Sequence, residues 1–290
     1  MNPRRRCLCA GGAALLLPGL GACAALVPAW EGELRDARVV LLGEVHDNAG
    51  LHGRRVASLQ RALEAGWRPS LVMEQFDTDR QADIERSRRE RPHDAAHLIA
   101  QASPSRSGWD WSLYEPVIAL ALGYELPLLA GNLPRAEAAR LVREPFDAVL
   151  GAERAARLGL QAPLDAAWQA AQEREIDLGH CGTLPQPLWP GMARAQAARD
   201  AQMAEALRTH AARGAVLLAG NGHVRHDLGV PRWLSARVLS VGFVEAGSDA
   251  AVPEQFDAVV VGTPAERGDP CEPLKRRQGL LLPLAGEGGG

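Results

Sequence analysis

The chain has 290 residues and a net charge of −3, with 47% hydrophobic and 23% charged side chains. That length suits one large α/β domain or two small ones, with a substantial core, and the slight acidity argues against a protein that works on phosphate backbones, so no nucleic-acid partner is expected. No apolar run reaches the roughly 18 residues a membrane span needs, and the 30 glycines and 20 prolines, scattered among apolar runs, read as many turns.

The chain opens with Arg4, Arg5 and Arg6, and a short apolar stretch follows to Leu20. This is the pattern of a signal peptide over residues 1–22. It ends Leu20-Gly21-Ala22-Cys23, which resembles a bacterial lipobox. The resemblance implies cleavage before Cys23 and lipidation of its thiol, so that acyl chains hold a water-soluble domain on a membrane. Ordinary secretion with cleavage nearby is the alternative. Ala24 stands where an inner-membrane lipoprotein often carries Asp, which implies the outer membrane, facing the periplasm. Cys7 and Cys9 leave with the signal, so Cys181 and Cys271 remain in an oxidising compartment where a disulfide can persist. Sequence leaves their pairing open.

Residues 24–36 read as a tether from the lipidated Cys23. Four apolar runs then share one design: Arg38–Leu42, Ser70–Met73, Leu126–Ala130 and Ala215–Ala219, each followed by a turn or polar signal. Short runs of this kind are strands buried on both faces, as in a mainly parallel sheet. Arg237–Phe243 and Phe256–Val261 are further strand candidates. Helical spacing covers Leu51–Glu64, Asp79–Arg91, Ser112–Leu122 and the Ala-rich Met192–Ala212, with Pro116 expected in a first helical turn. The alternation predicts a doubly wound α/β fold over residues 37–262, flanked by helices. Residues 134–190 are mainly helical in pattern and are expected to form a lid or subdomain. Residues 263–290 are expected to be a flexible tail.

Ligands of such sheets gather beyond the carboxyl ends of the strands. Here those ends carry Glu44, His46 and Asp47; Glu74 and Asp77; Asn132 and Arg135; and Asn221, His223 and Arg225. Turn formation alone accounts for the glycines and can account for Asn132 and Asn221. It does not account for His46 and His223, each three residues after a strand-end Gly, or for Glu74 directly after three apolar residues. A carboxylate placed there needs a cation, a metal or an Arg as partner. Glu44, His46, Glu74 and His223 suit a divalent metal of the Zn, Mn, Fe or Co type. They equally suit metal-free hydrolysis, with His46 or His223 as general base and Glu74 orienting the imidazole or water.

Taken together, seven ordered blocks resemble the ChaN family of haem-binding uptake lipoproteins, grouped with Tiki proteases and erythromycin esterases. The blocks are Gly43-Glu44-Val45-His46-Asp47-Asn48 with His52; Met73-Glu74-Gln75-Phe76; Trp111-x-x-Tyr114-x-Pro116; Ala130-Gly131-Asn132-Leu133-Pro134-Arg135; Gly179-His180-Cys181; Ala195-Gln196-x-x-Arg199-Asp200-x-x-Met203-Ala204; and Ala219-Gly220-Asn221-Gly222-His223-Val224-Arg225. They span about residues 37–243 and agree with the lipobox. The resemblance implies haem as ligand, a role in haem or iron uptake, a homodimer holding two stacked haems, and an outer-membrane haem receptor as partner. It also implies a Tyr ligand to haem iron, for which Tyr114 is the candidate here. The hydrolase relatives imply roles for Gly43–His46, Gly220–His223 and Glu74, giving a metal-dependent hydrolase as the alternative function.

Other residues carry two readings each. His180 either lines the site or caps a helix. His52 belongs on a solvated helix face, or else near a haem propionate or a metal. Arg135 suits a substrate carboxylate, a propionate or Glu74. Asp47, Asn132 and Asn221 are pocket candidates, and Arg199 with Asp200 reads as an ion pair. No serine-hydrolase or nucleotide-binding motif occurs.

Overall fold

A computed structural model describes residues 28–105, 108–248, 253–272 and 274–276. The signal segment and Cys23 lie outside the described residues. The chain enters through α1 (Ala29–Glu33), whose Trp30 packs edge-on against Phe243 at 6.0 Å between ring centroids. Six strands follow along the chain: β1 (Val39–Leu42), β2 (Ser70–Asp77), β3 (Leu128–Asn132), β4 (Ala215–Leu218), β5 (Leu239–Glu245) and β6 (Ala258–Gly262). They form one parallel sheet in the order β3-β2-β4-β1-β5-β6. Every strand candidate read from the sequence is a member of it.

Side chains alternate across the sheet, so each strand feeds two cores. Val40 and Leu42 point to one face, where they meet α2 (Ala49–Glu64), α3 (Gln81–Glu90), α4 (Ala95–Ala102) and α5 (Trp111–Gly123). Val39 and Leu41 point to the other, where the later helices pack. Along that route the chain forms α6 (Arg135–Leu141), α7 (Phe146–Leu150), α8 (Ala152–Arg157), α9 (Ala166–Gly179) and the long α10 (Trp189–His210). The helices α6 to α9 share a third apolar cluster with α10, built on Leu133, Leu141, Leu158, Trp168 and a row of α10 alanines. Gly191 permits the closest contact of this cluster: a Cβ there would lie 1.9 Å from the Val142 carbonyl oxygen. A four-residue turn of helix, α11 (Asn221–Val224), follows β4.

Two expectations change at this level. Pro116 lies in the second turn of α5, five residues after Trp111, and not in its first turn. Of the expected tail, the first part is held through Cys271, and residues 277–290 lie outside the described residues. Asn48 donates to the Thr263 carbonyl, Ala265 N–H donates to Glu245, and Arg267 grips both Glu245 and Asp47. Cys271 then closes a disulfide with Cys181 at the end of α9.

Candidate functional site

The carboxyl ends of β1, β2 and β4 lie side by side, and each delivers a polar group to one place. β1 ends at Gly43, where a Cβ would meet the Asn221 side-chain oxygen at 2.1 Å, so only glycine fits. Glu44 and His46 follow. The β2–β3 register slips after Met73, three residues of β2 standing opposite one of β3 before Asp77 meets Asn132. Irregularities of this kind re-aim side chains near sites, and here Glu74 and Gln75 fall in the slip. After β4, Gly220 turns the chain into α11, which carries His223.

Glu44 is the hub of the first cluster and is 3% exposed. Its Oε1 accepts from the Tyr114 hydroxyl at 2.6 Å, from Gln75 Nε2 at 3.2 Å and from His46 Nδ1 at 2.7 Å. Its Oε2 faces the buried Arg55 guanidinium at 2.5 Å. Burial would raise the Glu44 pKa, but Arg55 and the His46 contact hold it far below the usual carboxylate range. His52 accepts from Arg55 through Nδ1, and burial together with that cation lowers it to about 4, so it is neutral.

Glu74 is the hub of the second cluster. Its Oε2 accepts the Gly220 N–H at 2.8 Å, and its Oε1 lies 3.4 Å from His223 Nε2. On the other side, His223 Nδ1 lies 2.5 Å from the Asp200 carboxylate. Burial opposes charge on His223, but the two carboxylates outweigh it and lift the imidazole to about 10. Glu74 is held down to about 2, its burial offset by the charge of His223. Asp200 moves the other way, raised chiefly by its own burial. The trio is an imidazolium clamped between two acids.

His46 joins the clusters. Its side chain is 52% exposed, its ring meets Trp109 edge-on at 4.9 Å, and it lies tight against Gly220. Burial pulls its pKa down, but the hydrogen bond to Glu44 and the charge of Glu74 raise it above the ordinary value.

Comparison with known proteins adds the decisive observation. Residues 30–234 match the model of a family described as haem-binding uptake, Tiki superfamily, ChaN. The chain belongs to the ChaN family. The structure of Campylobacter jejuni ChaN with cofacial haem is similar to this one, with 20% identity over 79% of this chain and 89% of that chain, and a TM-score of 0.63. An erythromycin esterase, EreC, in its open conformation shows 18% identity over 82% and 79% of the two chains, at a TM-score of 0.43. The type III effector HopBA1 shows 13% identity over 81% and 92%, at 0.46. Among curated proteins none matches.

Within this ChaN-family fold, four sequence expectations need correction. Tyr114 is fully buried at 0% exposure, and its hydroxyl is donated to Glu44. Burial and the Glu44 charge raise its pKa strongly, opposing the phenolate that iron ligation requires. It is not placed to reach a ligand at the rim. The other tyrosine, Tyr124, caps the far end of α5 beneath Arg68. His52 is buried against Tyr114 at 4.9 Å, not on a solvated helix face. Asp200 pairs with His223 rather than with Arg199. Finally, Glu44, His46, Glu74 and His223 do not form one metal ligand set. Their oxygens and nitrogens pair off with each other and with Arg55, and no group of three or more such donors among the described residues could hold a metal ion.

The remaining candidates divide. Asn221 is a structural latch, donating to and accepting from the Phe243 backbone. Asp47 is exposed and held by Arg267. His180 Nδ1 contacts the Ile176 carbonyl at 2.7 Å and so caps α9. Asn132 and Arg135 both line a cavity of about 440 Å³ at the rim. Sequence reasoning missed Arg55, Gln75 and Trp109. Arg55 carried a signal: it falls three and four residues from His52 and Leu51, on the buried stripe of α2.

Haem requires an accessible donor and a cationic or hydrogen-bonding rim. Cys181 and Cys271 are consumed by their disulfide and Tyr114 by Glu44. His46 fits the requirement: Glu44 holds its Nδ1, leaving Nε2 for a partner, the arrangement in which a second carboxylate orients a ligating imidazole.

Proposed function

We propose that this chain is a haem-binding lipoprotein of the cell envelope, anchored through Cys23 and serving haem or iron uptake. Haem would meet the protein at the rim around His46. The observation that carries this reading is the family match over residues 30–234. The half-exposed imidazole of His46, oriented by Glu44 and flanked by Trp109, supplies the contact that the buried Tyr114 does not. When bound, haem would supply a ferric centre; the residues of this chain orient the imidazole, hold its Nδ1 proton at Glu44 and present arginines near the rim. The lipobox at Leu20–Cys23 supports envelope anchoring in the outer membrane, and ChaN relatedness supports a homodimer and a haem receptor as partners.

The test is titration of the soluble mature chain with hemin, followed by its Soret band. Saturable uptake is expected at micromolar hemin, and His46→Ala is expected to weaken it about tenfold or more. Absence of saturable uptake defeats the reading. Mass analysis of the membrane form tests the anchor: Cys23 should carry the acyl mass, and Cys23→Ser should release the protein.

One observation favours a second reading, general-base hydrolysis. The Glu44–His46 pair is the geometry that activates water, and the His223 cation lies beside Glu74 next to it. Chelator-insensitive ester hydrolysis lost in His46→Ala would establish it, and an inactive protein across a panel of activated esters would end it.

A further inference from the structure

The stretch from Thr263 to Pro270 crosses the surface without a buried residue of its own. It is fastened at two places. At one, a single guanidinium holds two carboxylates. Arg267 Nε and Nη2 each donate to Asp47 at 2.7 Å, and its Nη1 and Nη2 donate to Glu245 at 2.8 and 2.6 Å. Asn48 joins the same knot, donating to Glu245 at 2.7 Å and to the Thr263 carbonyl at 2.9 Å. At the other, Cys271 is bonded to Cys181 at the end of α9, and neither cysteine is a buried residue.

The knot lies on the turn that carries His46. Asn48 N–H donates to the Val45 carbonyl at 3.1 Å, which makes His46 and Asp47 the central residues of a tight turn. Asn48 Oδ1 then accepts the Leu51 N–H and caps α2. Arg267 therefore grips one central residue of the turn while the other presents the imidazole. Without the guanidinium, Asp47 and Glu245 face each other as two acids, and their repulsion pushes the turn away from β5. Exposed ion pairs contribute little by themselves, and Asp47 is 59% exposed. Ordering a stretch of exposed backbone costs more entropy than such pairs return. With β6 fixing one end and the disulfide fixing the other, the stretch has few conformations to lose, and Arg267 stays beside its two acids. The disulfide thus decides whether the grip on the turn persists.

We propose that this strap is a redox-operated clasp on the His46 turn: the closed disulfide keeps Arg267 on Asp47 and the imidazole set for its ligand, and reduction frees the strap and weakens ligand binding. Arg267 is the positioning residue. The reductant is a dithiol. One of its thiolates attacks a sulfur of the Cys181–Cys271 pair and displaces the other as a thiolate; its second thiol then resolves the mixed disulfide. The two cysteines together gain two electrons and two protons, and the dithiol loses them as it closes its own disulfide. The ligand half of this inference rests on the reading of His46 as the haem contact; the clasp itself does not.

The experiment reduces the mature chain with dithiothreitol under native conditions, caps its thiols with iodoacetamide and removes both reagents before any titration. Circular dichroism and thermal melts identify the samples that remain folded. Amide exchange at Asn48 and Leu51 is expected to quicken by about tenfold or more in the capped protein, while β1 and β4 stay protected. Hemin binding to the capped protein is expected to weaken by about tenfold, the effect of a competent turn populated about a tenth of the time. Arg267→Gln, which keeps the disulfide and needs no reductant, should reproduce both changes, and Arg267→Lys should restore part of the loss. If the capped chain loses its fold, these two variants decide. Unchanged exchange at the turn in the folded capped protein or in Arg267→Gln overturns the proposal. So does a disulfide that dithiothreitol leaves intact in the folded chain, or equal hemin affinity in the open and closed forms. If no form takes up hemin, the haem reading fails, and the exchange rates still decide the clasp.

Discussion

Replacing Tyr114 with Phe separates a structural hydroxyl from an iron ligand. The ring is wholly buried, so Phe keeps its packing against Trp111 and His52 and leaves no cavity. What disappears is one 2.6 Å hydrogen bond to an ionised carboxylate. Bonds to charged groups contribute about 1.5–3 kcal/mol. Glu44 keeps Arg55, Gln75 and His46, so the loss should fall at the lower end, about 1–2 kcal/mol. For a domain of this size each kcal/mol moves the melting temperature by about 2–4 °C, giving a drop of about 2–8 °C. Thermal unfolding followed by circular dichroism reads that drop, and hemin titration of the same sample should match the parent within about twofold. An unchanged melting temperature with lost hemin binding would refute the reasoning, since it would place the phenol on iron.

Three further outcomes follow from the geometry. His223 is raised from 6.5 to about 10, so its stabilisation is complete below pH 6.5 and is lost as pH rises toward 10; Glu74, lowered from 4.5 to about 2, contributes above pH 4.5 and is lost as pH falls toward 2. Denaturant unfolding should thus be hardest between these limits, and His223→Gln should lower stability there by about 3 kcal/mol and flatten the alkaline decline. In Gly220→Ala the new Cβ would lie 2.9 Å from His46 Cε1; the half-exposed ring should swing away at little cost in melting temperature, and hemin affinity should fall. Reduction, or Cys181→Ser, opens a link spanning 90 residues of sequence; the chain-entropy account puts the loss near 4–5 kcal/mol, and unfolding curves with and without reductant measure it.

The sheet was legible because a strand buried on both faces is an uninterrupted apolar run. Val39–Leu42 and Ala215–Leu218 could hardly be anything else. The convergence of Glu44, His46, Glu74 and His223 followed from one rule, that parallel strands present their carboxyl ends together. What the sequence did not show was how those groups would pair. Tyr114 looked available because an aromatic one turn into a helix has no visible partner; the partner is Glu44, 70 residues away. Asp200 looked like a neighbour of Arg199, yet it is the lone acid on the alanine face of α10, with Ala193, Ala197, Ala201 and Ala204. An acid on a stripe otherwise made of methyl groups must meet a cation across the interface, and that spacing could have pointed to His223. The α4 helix was missed because it is only eight residues long, too short for a periodic pattern to stand out.

The strand order has a consequence for biosynthesis. β1 pairs only with β4 and β5, and β4 separates it from β2. A ribosome-bound chain can therefore join β2 to β3 early, but its first strand waits for residue 215 before it has any neighbour. Such distant pairing is slow, and the unfinished edges on both sides of the gap are adhesive while it lasts. Glu44, Glu74 and Gly220 hang from the three strands around that gap, so a nascent chain that ends before β4 cannot assemble the His46–Glu74–His223 cluster. Insertion of one late four-residue segment joins the two halves of the sheet and brings the two polar clusters together in the same event, before β5 and β6 extend the far edge.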